Sequence, residues 1–140
     1  MSLGFYFDMT RCSGCAACRT ACQDRFDLFE VGFAPRRVHR YQTCLNVCRY
    51  GAPQYIEAEN LVVKCDTCNA LREGGYLPVC VDACPYRALE FGDLDELRSA
   101  HGDDLVQEVP ALPSADVTGP NLLIKSREAA LESGYREVTY

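Results

Sequence analysis

Tryptophan is absent from this chain of 140 residues, and methionine and histidine occur only twice each. Basic residues are also scarce, because 14 Lys and Arg face 20 Asp and Glu and leave a formal net charge of −6 at pH 7. Proteins that bind nucleic acids usually present a basic face to the phosphate backbone. We therefore expect no nucleic-acid partner for this protein.

Long hydrophobic runs are missing as well. No apolar stretch approaches the roughly 18 residues that a bilayer-spanning helix needs, so we predict no transmembrane segment. Residues 1–10 lack both the basic and the apolar stretch of a secretory signal. We expect a protein that is soluble and cytoplasmic as synthesised, with thiols that begin in a reducing compartment.

Cysteine, in contrast, is abundant, with ten cysteines in 140 residues. The length of the chain suits a single domain. Eight of them form two groups of four. The first group has two-residue spacings followed by one three-residue spacing: Cys12, Cys15, Cys18 and Cys22. The second group has an eleven-residue gap in its middle and is followed by Pro85: Cys65, Cys68, Cys80 and Cys84. We expect Pro85 to end one short helix that holds both Cys80 and Cys84.

The spacing within the first group is typical of a [4Fe–4S] cluster site. Three cysteines two residues apart can reach three corners of one cubane, whereas the fourth is carried away on a helix and points to a different cluster. Duplicated sites therefore exchange their fourth ligands. We predict one cluster held by Cys12, Cys15, Cys18 and Cys84, and a second held by Cys65, Cys68, Cys80 and Cys22.

Structural zinc and disulfides are the alternatives for such a cysteine pattern. Zinc sites also use paired C-x-x-C units, but zinc rarely explains three cysteines at two-residue spacing followed by a fourth. A nucleophilic cysteine is a poorer interpretation, because neither His39 nor His101 lies in a Cys–His signature. We predict no catalytic residue.

The polarity pattern predicts short strands that lead into the cysteines. Residues 3–8 alternate with the period of a half-buried strand, and residues 61–64 and 88–92 have strand composition. A helix is predicted over residues 18–29, and an extended piece over 36–41. The order of strand, cysteines and helix occurs twice. This pattern predicts an α+β fold with a ferredoxin-like core that binds two [4Fe–4S] clusters.

The character of the sequence changes after the second cysteine group. Asp93 can cap a helix over residues 94–101, with Gly102 as its end. Three of the seven prolines then fall between residues 110 and 120. We predict a two-cluster domain over residues 1–108 and an extended C-terminal arm over residues 109–140. Residues 122–124 would either belong to a mobile tail or add a strand to a partner.

Four stretches of the chain resemble the iron–sulfur electron-transfer subunit of the dimethyl sulfoxide reductase family: residues 11–22, 48–55, 64–68 and 79–92. The resemblance covers residues 3–37 and about 44–125. Members of that family carry four cysteine motifs and four clusters on two ferredoxin-like modules. The resemblance implies a subunit that passes electrons between a molybdopterin catalytic subunit and a membrane anchor and does not itself convert substrate.

The chain departs from the family pattern in its middle. The second motif is absent, and Cys44 and Cys48 are the tail of the third, whose other two ligands would fall at Val38 and Tyr41. We interpret the chain as the same scaffold without its middle module. The two remaining cysteines are then expected to be small buried side chains. A disulfide between Cys44 and Cys48 would strain the backbone of a helix. The other alternative is that two chains combine these cysteines in a shared metal site.

Electron transfer is the function that this interpretation predicts, through two [4Fe–4S] clusters and in a complex with a molybdopterin oxidoreductase subunit. Two alternatives remain open. The first is a free-standing soluble two-cluster ferredoxin, and the second is a zinc-stabilised scaffold protein. The resemblance also allows the protein to associate with a membrane through its complex.

Overall fold

The computed structural model describes residues 2–28, 36–39 and 43–134. Strands in this part of the chain are β1 (Leu3–Asp8), β2 (Arg36–His39), β3 (Gln54–Ile56), β4 (Leu61–Lys64), β5 (Leu89–Asp93) and β6 (Leu122–Lys125). Helices are α1 (Ala17–Phe26), α2 (Thr43–Val47), α3 (Asn69–Glu73), α4 (Val79–Asp82), α5 (Leu94–His101) and α6 (Ala115–Thr118), and a 3-10 helix covers Glu128–Leu131. The predicted mixture of short helices and strands is confirmed.

The chain divides into two compact units. The terminal unit combines residues 1–13 with 86–140, and the central unit comprises residues 14–85. Among the residues that the structure describes, no helix is both long enough and apolar enough to cross a membrane.

The terminal unit contains a three-stranded sheet in the order β5-β1-β6. Strand β1 runs antiparallel to β5, with Phe5 opposite Phe91, and parallel to β6, with Tyr6 opposite Leu123. Helix α5 follows β5 directly and begins at the predicted cap. The Asp93 carboxylate accepts hydrogen bonds from the backbone N–H groups of the first helical turn at 3.0 and 3.4 Å. The predicted helix over residues 94–101 is confirmed.

The more hydrophobic face of β1 is not the one that is buried in the core. The face that carries Tyr6 and Asp8 is buried, whereas Leu3, on the more apolar face, is 43% exposed. Tyr6 belongs to a core that also contains Leu97 and Leu123, with Leu94 and Leu105 packed against it. Phe5 on the opposite face makes an edge-to-face contact with Phe91, at a ring-centroid distance of 4.9 Å. Leu94 and Leu97 of helix α5 and the nearby Leu105 thus belong to the cluster that covers this face of β1.

Strand β6 lies within the segment that the sequence analysis assigned to an arm outside the core. Its Leu123 and Ile124 are 0% and 1% exposed. Backbone hydrogen bonds from Phe5 to the Asn121 carbonyl (3.1 Å) and from Met9 to the Lys125 carbonyl (2.9 Å) fix its register on β1. These residues therefore form a strand of the protein's own sheet. The division into a domain over residues 1–108 and an arm over 109–140 stays a prediction.

The central unit contains a second three-stranded sheet in the order β2-β4-β3. The predicted strand over residues 61–64 is confirmed as β4, and β2 covers the first four residues of the extended piece predicted over 36–41, whose last two residues lie outside the described part. Ile56 of β3 and Val63 of β4 form a small core with Leu28. Helix α1 packs against α4 in the same unit, and each of these helices carries at least one of the predicted cysteine ligands.

Candidate metal centre

The first cysteine loop begins where β1 ends, at Asp8. The backbone N–H groups of Arg11 and Cys12 donate to the Asp8 carbonyl oxygen at 3.3 and 3.2 Å. The Asp8 carboxylate accepts from the Thr10 N–H at 2.8 Å, from the Thr10 hydroxyl at 2.5 Å and from the Arg11 N–H at 3.3 Å. Asp8 is 4% exposed, so these donors replace water around its charge. Its hydrogen bonds fix the turn that leads into Cys12.

Two residues with left-handed backbone then lead the chain into helix α1. Gly14 has a φ of 73° and Ala16 a φ of 60°. Glycine adopts this region freely, whereas for an L-residue such as Ala16 it costs roughly 1–2 kcal/mol. Local strain of this kind is characteristic of functional loops. The helix that follows carries Cys18 in its first turn and Cys22 one turn later, where Cys22 is buried.

The second cysteine loop follows β4 and has a similar design. The Asp66 carboxylate accepts from the Cys68 N–H at 2.8 Å, and Thr67 and Cys68 have left-handed φ values of 60° and 53°. This geometry points the Thr67 N–H at the sulfur of Cys65, with a distance of 3.3 Å from nitrogen to Sγ. Hydrogen bonds to ligand sulfurs are one of the means by which proteins tune iron–sulfur potentials.

The remaining pair of the second group lies on and after helix α4. Buried Pro78 is the residue just before this helix, and Cys80 lies in its first turn. The helix ends before Cys84, whose N–H donates to the Val81 carbonyl at 3.3 Å. Sequence analysis expected one short helix to hold both cysteines. Instead, Cys84 lies just beyond it and is followed by Pro85, which cannot donate a further backbone hydrogen bond.

The thiols of the central unit are close enough to influence each other's ionisation. Burial raises the pKa of Cys80 to about 12, and the charge of neighbouring thiolates contributes further. These neighbours, in order of effect, are Cys68, Cys65, Cys22 and Cys18. Burial also raises the pKa of Cys65, against the lowering effect of the Thr67 N–H. Cys22 and Cys18, from the first group, thus act on the ionisation of Cys80 together with Cys65 and Cys68 of the second group.

This donor set fits an iron–sulfur cluster. Thiols that are buried together resist ionisation unless a positive centre compensates their charge, and a metal-coordinating thiol is deprotonated outright. Several thiolates without oxygen or nitrogen donors suit soft metals and iron–sulfur clusters. In residues 2–28, 36–39 and 43–134, no three Cys, His, Asp or Glu side chains converge as ligands of a single metal ion.

Cys44 and Cys48 lie on helix α2 and directly after it. The Cys48 N–H donates to the Cys44 carbonyl at 3.3 Å, which is the continuation of the helical pattern. Both side chains are half-buried, so the expectation of buried side chains is met only in part. None of the ten cysteines, all of which lie in the described ranges, is part of a disulfide.

Sequence reasoning missed three residues that shape these loops: Asp8, Asp66 and Arg127. A local signal existed for the two aspartates, because Asp followed by a donor two residues later is typical of an Asx turn. Arg127 had no such signal. Its guanidinium donates to the Cys12 carbonyl at 2.7 Å from a position 115 residues further along the chain.

Comparisons with known proteins agree with this geometry. The family described as "4Fe-4S dicluster domain" matches residues 5–94. The B subunit of the anaerobic dimethyl sulfoxide reductase of Haemophilus influenzae is 31% identical over 94% of this chain and 92% of its own length. The protein of the same name from Escherichia coli is 32% identical, over 94% of this chain and 94% of its own length. Formate dehydrogenase subunit beta of Megalodesulfovibrio gigas is 31% identical over 65% of this chain and 43% of its own length.

The chain belongs to the family of iron–sulfur subunits of dimethyl sulfoxide reductase. It is an electron-transfer subunit that carries [4Fe–4S] clusters and is not a catalytic subunit. The alignments with the first two relatives extend over 193 and 197 positions, more than the 140 residues of this chain. Those relatives therefore contain residues that this chain lacks.

Proposed function

We propose that the protein relays single electrons through two [4Fe–4S] clusters to or from a molybdopterin-containing catalytic subunit. The observation that carries the proposal is that thiols of both groups act on the ionisation of Cys80, namely Cys68 and Cys65 of its own group and, more weakly, Cys22 and then Cys18 of the first group. A fourth ligand taken from the other motif is what a two-cluster arrangement requires. When bound, each cluster supplies one-electron oxidation and reduction.

Eight cysteines would hold the two clusters, in a ferredoxin-like arrangement. The proposed ligands of the first cluster are Cys12, Cys15, Cys18 and Cys84. The proposed ligands of the second cluster are Cys65, Cys68, Cys80 and Cys22. The first assignment depends on sequence spacing, and the second has the additional support of the thiol neighbourhood around Cys80.

The protein's own residues would tune the second cluster in two ways. Cys22 and Cys68 are 4% and 5% exposed, so the protein excludes water from two of the four sulfurs. The Thr67 N–H donates to the sulfur of Cys65, which stabilises negative charge on that sulfur. Burial opposes added negative charge and the hydrogen bond favours it, so the potential of this cluster depends on their balance.

The names of the relatives support the proposal of a protein partner. Two are named as the B component of an anaerobic dimethyl sulfoxide reductase, and one is named subunit beta of a formate dehydrogenase. We propose that this protein likewise works beside a catalytic subunit, and that any association with a membrane is made through that complex. A free-standing two-cluster ferredoxin is the alternative, because the same cysteines would serve it.

Metal analysis of the anaerobically purified protein tests the cluster count. Two cubanes require about eight iron and eight sulfide per chain. A content of about four iron, or zinc in place of iron, would contradict the proposal. The Cys65→Ser variant is the internal control, because it is expected to lose iron from one cluster and to retain the other.

Purification from the native host under argon tests the partner. We expect the protein to elute with a larger subunit whose fraction contains molybdenum and pterin in proportion to it. A protein that elutes alone, is monodisperse and reduces soluble electron acceptors would favour the ferredoxin alternative instead.

A further inference from the structure

The C-terminal segment reaches back to the first cysteine loop. Strand β6 ends beside the end of β1, where the Met9 N–H donates to the Lys125 carbonyl at 2.9 Å. Two residues later the guanidinium of Arg127 donates through Nη2 to the Cys12 carbonyl at 2.7 Å and to the Thr10 carbonyl at 3.4 Å. One cationic side chain thus joins two carbonyl groups of the loop that carries the first predicted ligand.

The position of Arg127 follows from the sheet. Parallel pairing with β1 fixes the end of β6, and the extended backbone of Arg127, at φ −84° and ψ 151°, starts from that fixed point. A guanidinium is always charged and has donors in a planar fork, so it can bind carbonyl oxygens from a defined direction. Hydrogen bonds from charged donors are stronger than those between neutral groups.

The opposite side of the same turn is held by Asp8. Its carboxylate accepts from Thr10 and from the Arg11 N–H, whereas Arg127 donates to the carbonyls of Thr10 and Cys12. The backbone that leads to Cys12 is therefore bound by an anion on its N–H side and by a cation on its carbonyl side. Arg127 thereby brings a positive charge to the backbone of the proposed ligand.

We propose that Arg127 is a positioning residue for the cluster that Cys12 holds, and that its charge raises the reduction potential of that cluster. The inference depends on the proposed function, since it needs a cluster at Cys12. Reduction adds one negative charge to the cluster, and a nearby positive charge favours the reduced state. The guanidinium is bonded to the backbone of the ligand residue itself, so removing it also loosens the loop.

A redox titration of the complete, cluster-loaded protein, followed by electron paramagnetic resonance, tests the inference. Arg127→Gln removes the charge, Arg127→Lys keeps it, and Arg98→Gln removes an equal charge from the exposed side of helix α5. We expect Arg127→Gln to lower the midpoint potential of the Cys12 cluster, by up to the roughly 59 mV that corresponds to a tenfold change in a one-electron equilibrium. Arg127→Lys should restore most of the shift, and Arg98→Gln should produce little.

Hydrogen exchange of the backbone amides around Cys12 gives a second readout, which does not depend on the potential. Faster exchange in Arg127→Gln, or loss of iron from the Cys12 cluster that Arg127→Lys prevents, would also support the positioning role. An unchanged potential and unchanged exchange would overturn the inference, and so would a shift equal to that of Arg98→Gln. A natural protein that binds no iron would instead contradict the proposed function.

Discussion

The hydroxyl of Tyr6 donates a hydrogen bond to Oδ2 of Asp8 at 3.3 Å, on the buried face of β1. The Tyr6 ring also stacks on His101, with ring centroids 3.7 Å apart and planes 8° apart. His101 Nε2 lies 3.0 Å from Oε2 of Glu90. Burial raises the pKa of Tyr6 to about 12, with Asp8 as the next cause, so Tyr6 remains a donor at neutral pH. These contacts connect the strand before the first cysteine loop to helix α5.

Asp8→Asn should destabilise the protein at neutral pH. Burial raises the pKa of Asp8, but hydrogen bonds from Thr10 and Arg11 and the charge of Lys125 outweigh it, and the pKa lies below its usual value. The lowered pKa stabilises the folded chain at every pH above the ordinary aspartate pKa of about 4. We expect a loss of about 1–3 kcal/mol in the free energy of unfolding at pH 7. Urea denaturation of the variant and the natural protein measures it.

The same pair of proteins gives the pH dependence of this effect. As the pH falls through the lowered pKa, Asp8 becomes protonated in the folded state and its contribution is lost. The difference in unfolding free energy between the two proteins should therefore be constant from pH 7 to about 5 and shrink below about pH 4. A difference that grows in acid would contradict this interpretation of Asp8.

Gly4→Ala should destabilise the terminal sheet. A Cβ on Gly4 would overlap the carbonyl oxygen of Asn121 and a methyl group of Leu94, and the backbone oxygen cannot move aside without breaking the register of β6 on β1. Overpacking of this kind costs about 1–3 kcal/mol. Thermal or urea unfolding measures the loss. Gly134→Ala is the matched control, because a Cβ there meets nothing within 4 Å, and an equal loss in both variants would refute the close-approach argument.

Replacing the fourth cysteine of each group should damage the cluster of the other group. Cys22 acts on the ionisation of Cys80 more strongly than Cys18 does, so Cys22→Ser should alter the magnetic signal of the cluster assigned to Cys65, Cys68 and Cys80. Cys84→Ser should alter the other signal. Electron paramagnetic resonance of the reduced variants distinguishes the two clusters, with Cys44→Ser as the control. The exchange of ligands would be wrong if Cys22→Ser disrupted the site of Cys12 and Cys15.

The double variant Cys44→Ala and Cys48→Ala separates a structural role from a ligand role for this pair. Two thiols without partners at Val38 and Tyr41 do not provide the four ligands of a cubane. Because both side chains are only half-buried, we expect a stability loss of about 1 kcal/mol and unchanged iron content and oligomeric state. Iron analysis and analytical ultracentrifugation give the result. Lost iron or a dimer that becomes a monomer would reveal a site shared between chains.

The sequence alone determined the features that depend on local chemistry, which are helix α5 and the class of protein. Asp93 and Gly102 predicted the start and the end of helix α5. The Asp93 carboxylate binds free backbone N–H groups of the first turn, and Gly102 adopts the positive φ that ends the last turn. The cysteine spacing likewise predicted the class of protein, since the geometry of a cubane restricts how far apart its ligands can lie in a loop. Both signals depend on residues a few positions apart.

Tertiary structure alone decided the features that depend on distant residues. An alternating strand has two candidate faces, and the packing of helix α5 buried the one with Tyr6 and Asp8. The hydrophobicity of Leu123 and Ile124 is compatible with a strand in any sheet. They became part of the terminal sheet because β6 pairs with the edge of β1 that β5 leaves free. The placement of Arg127 at the Cys12 carbonyl followed from that pairing. Sequence patterns carry local periodicity, whereas contacts across more than a hundred residues are determined only by how the elements pack.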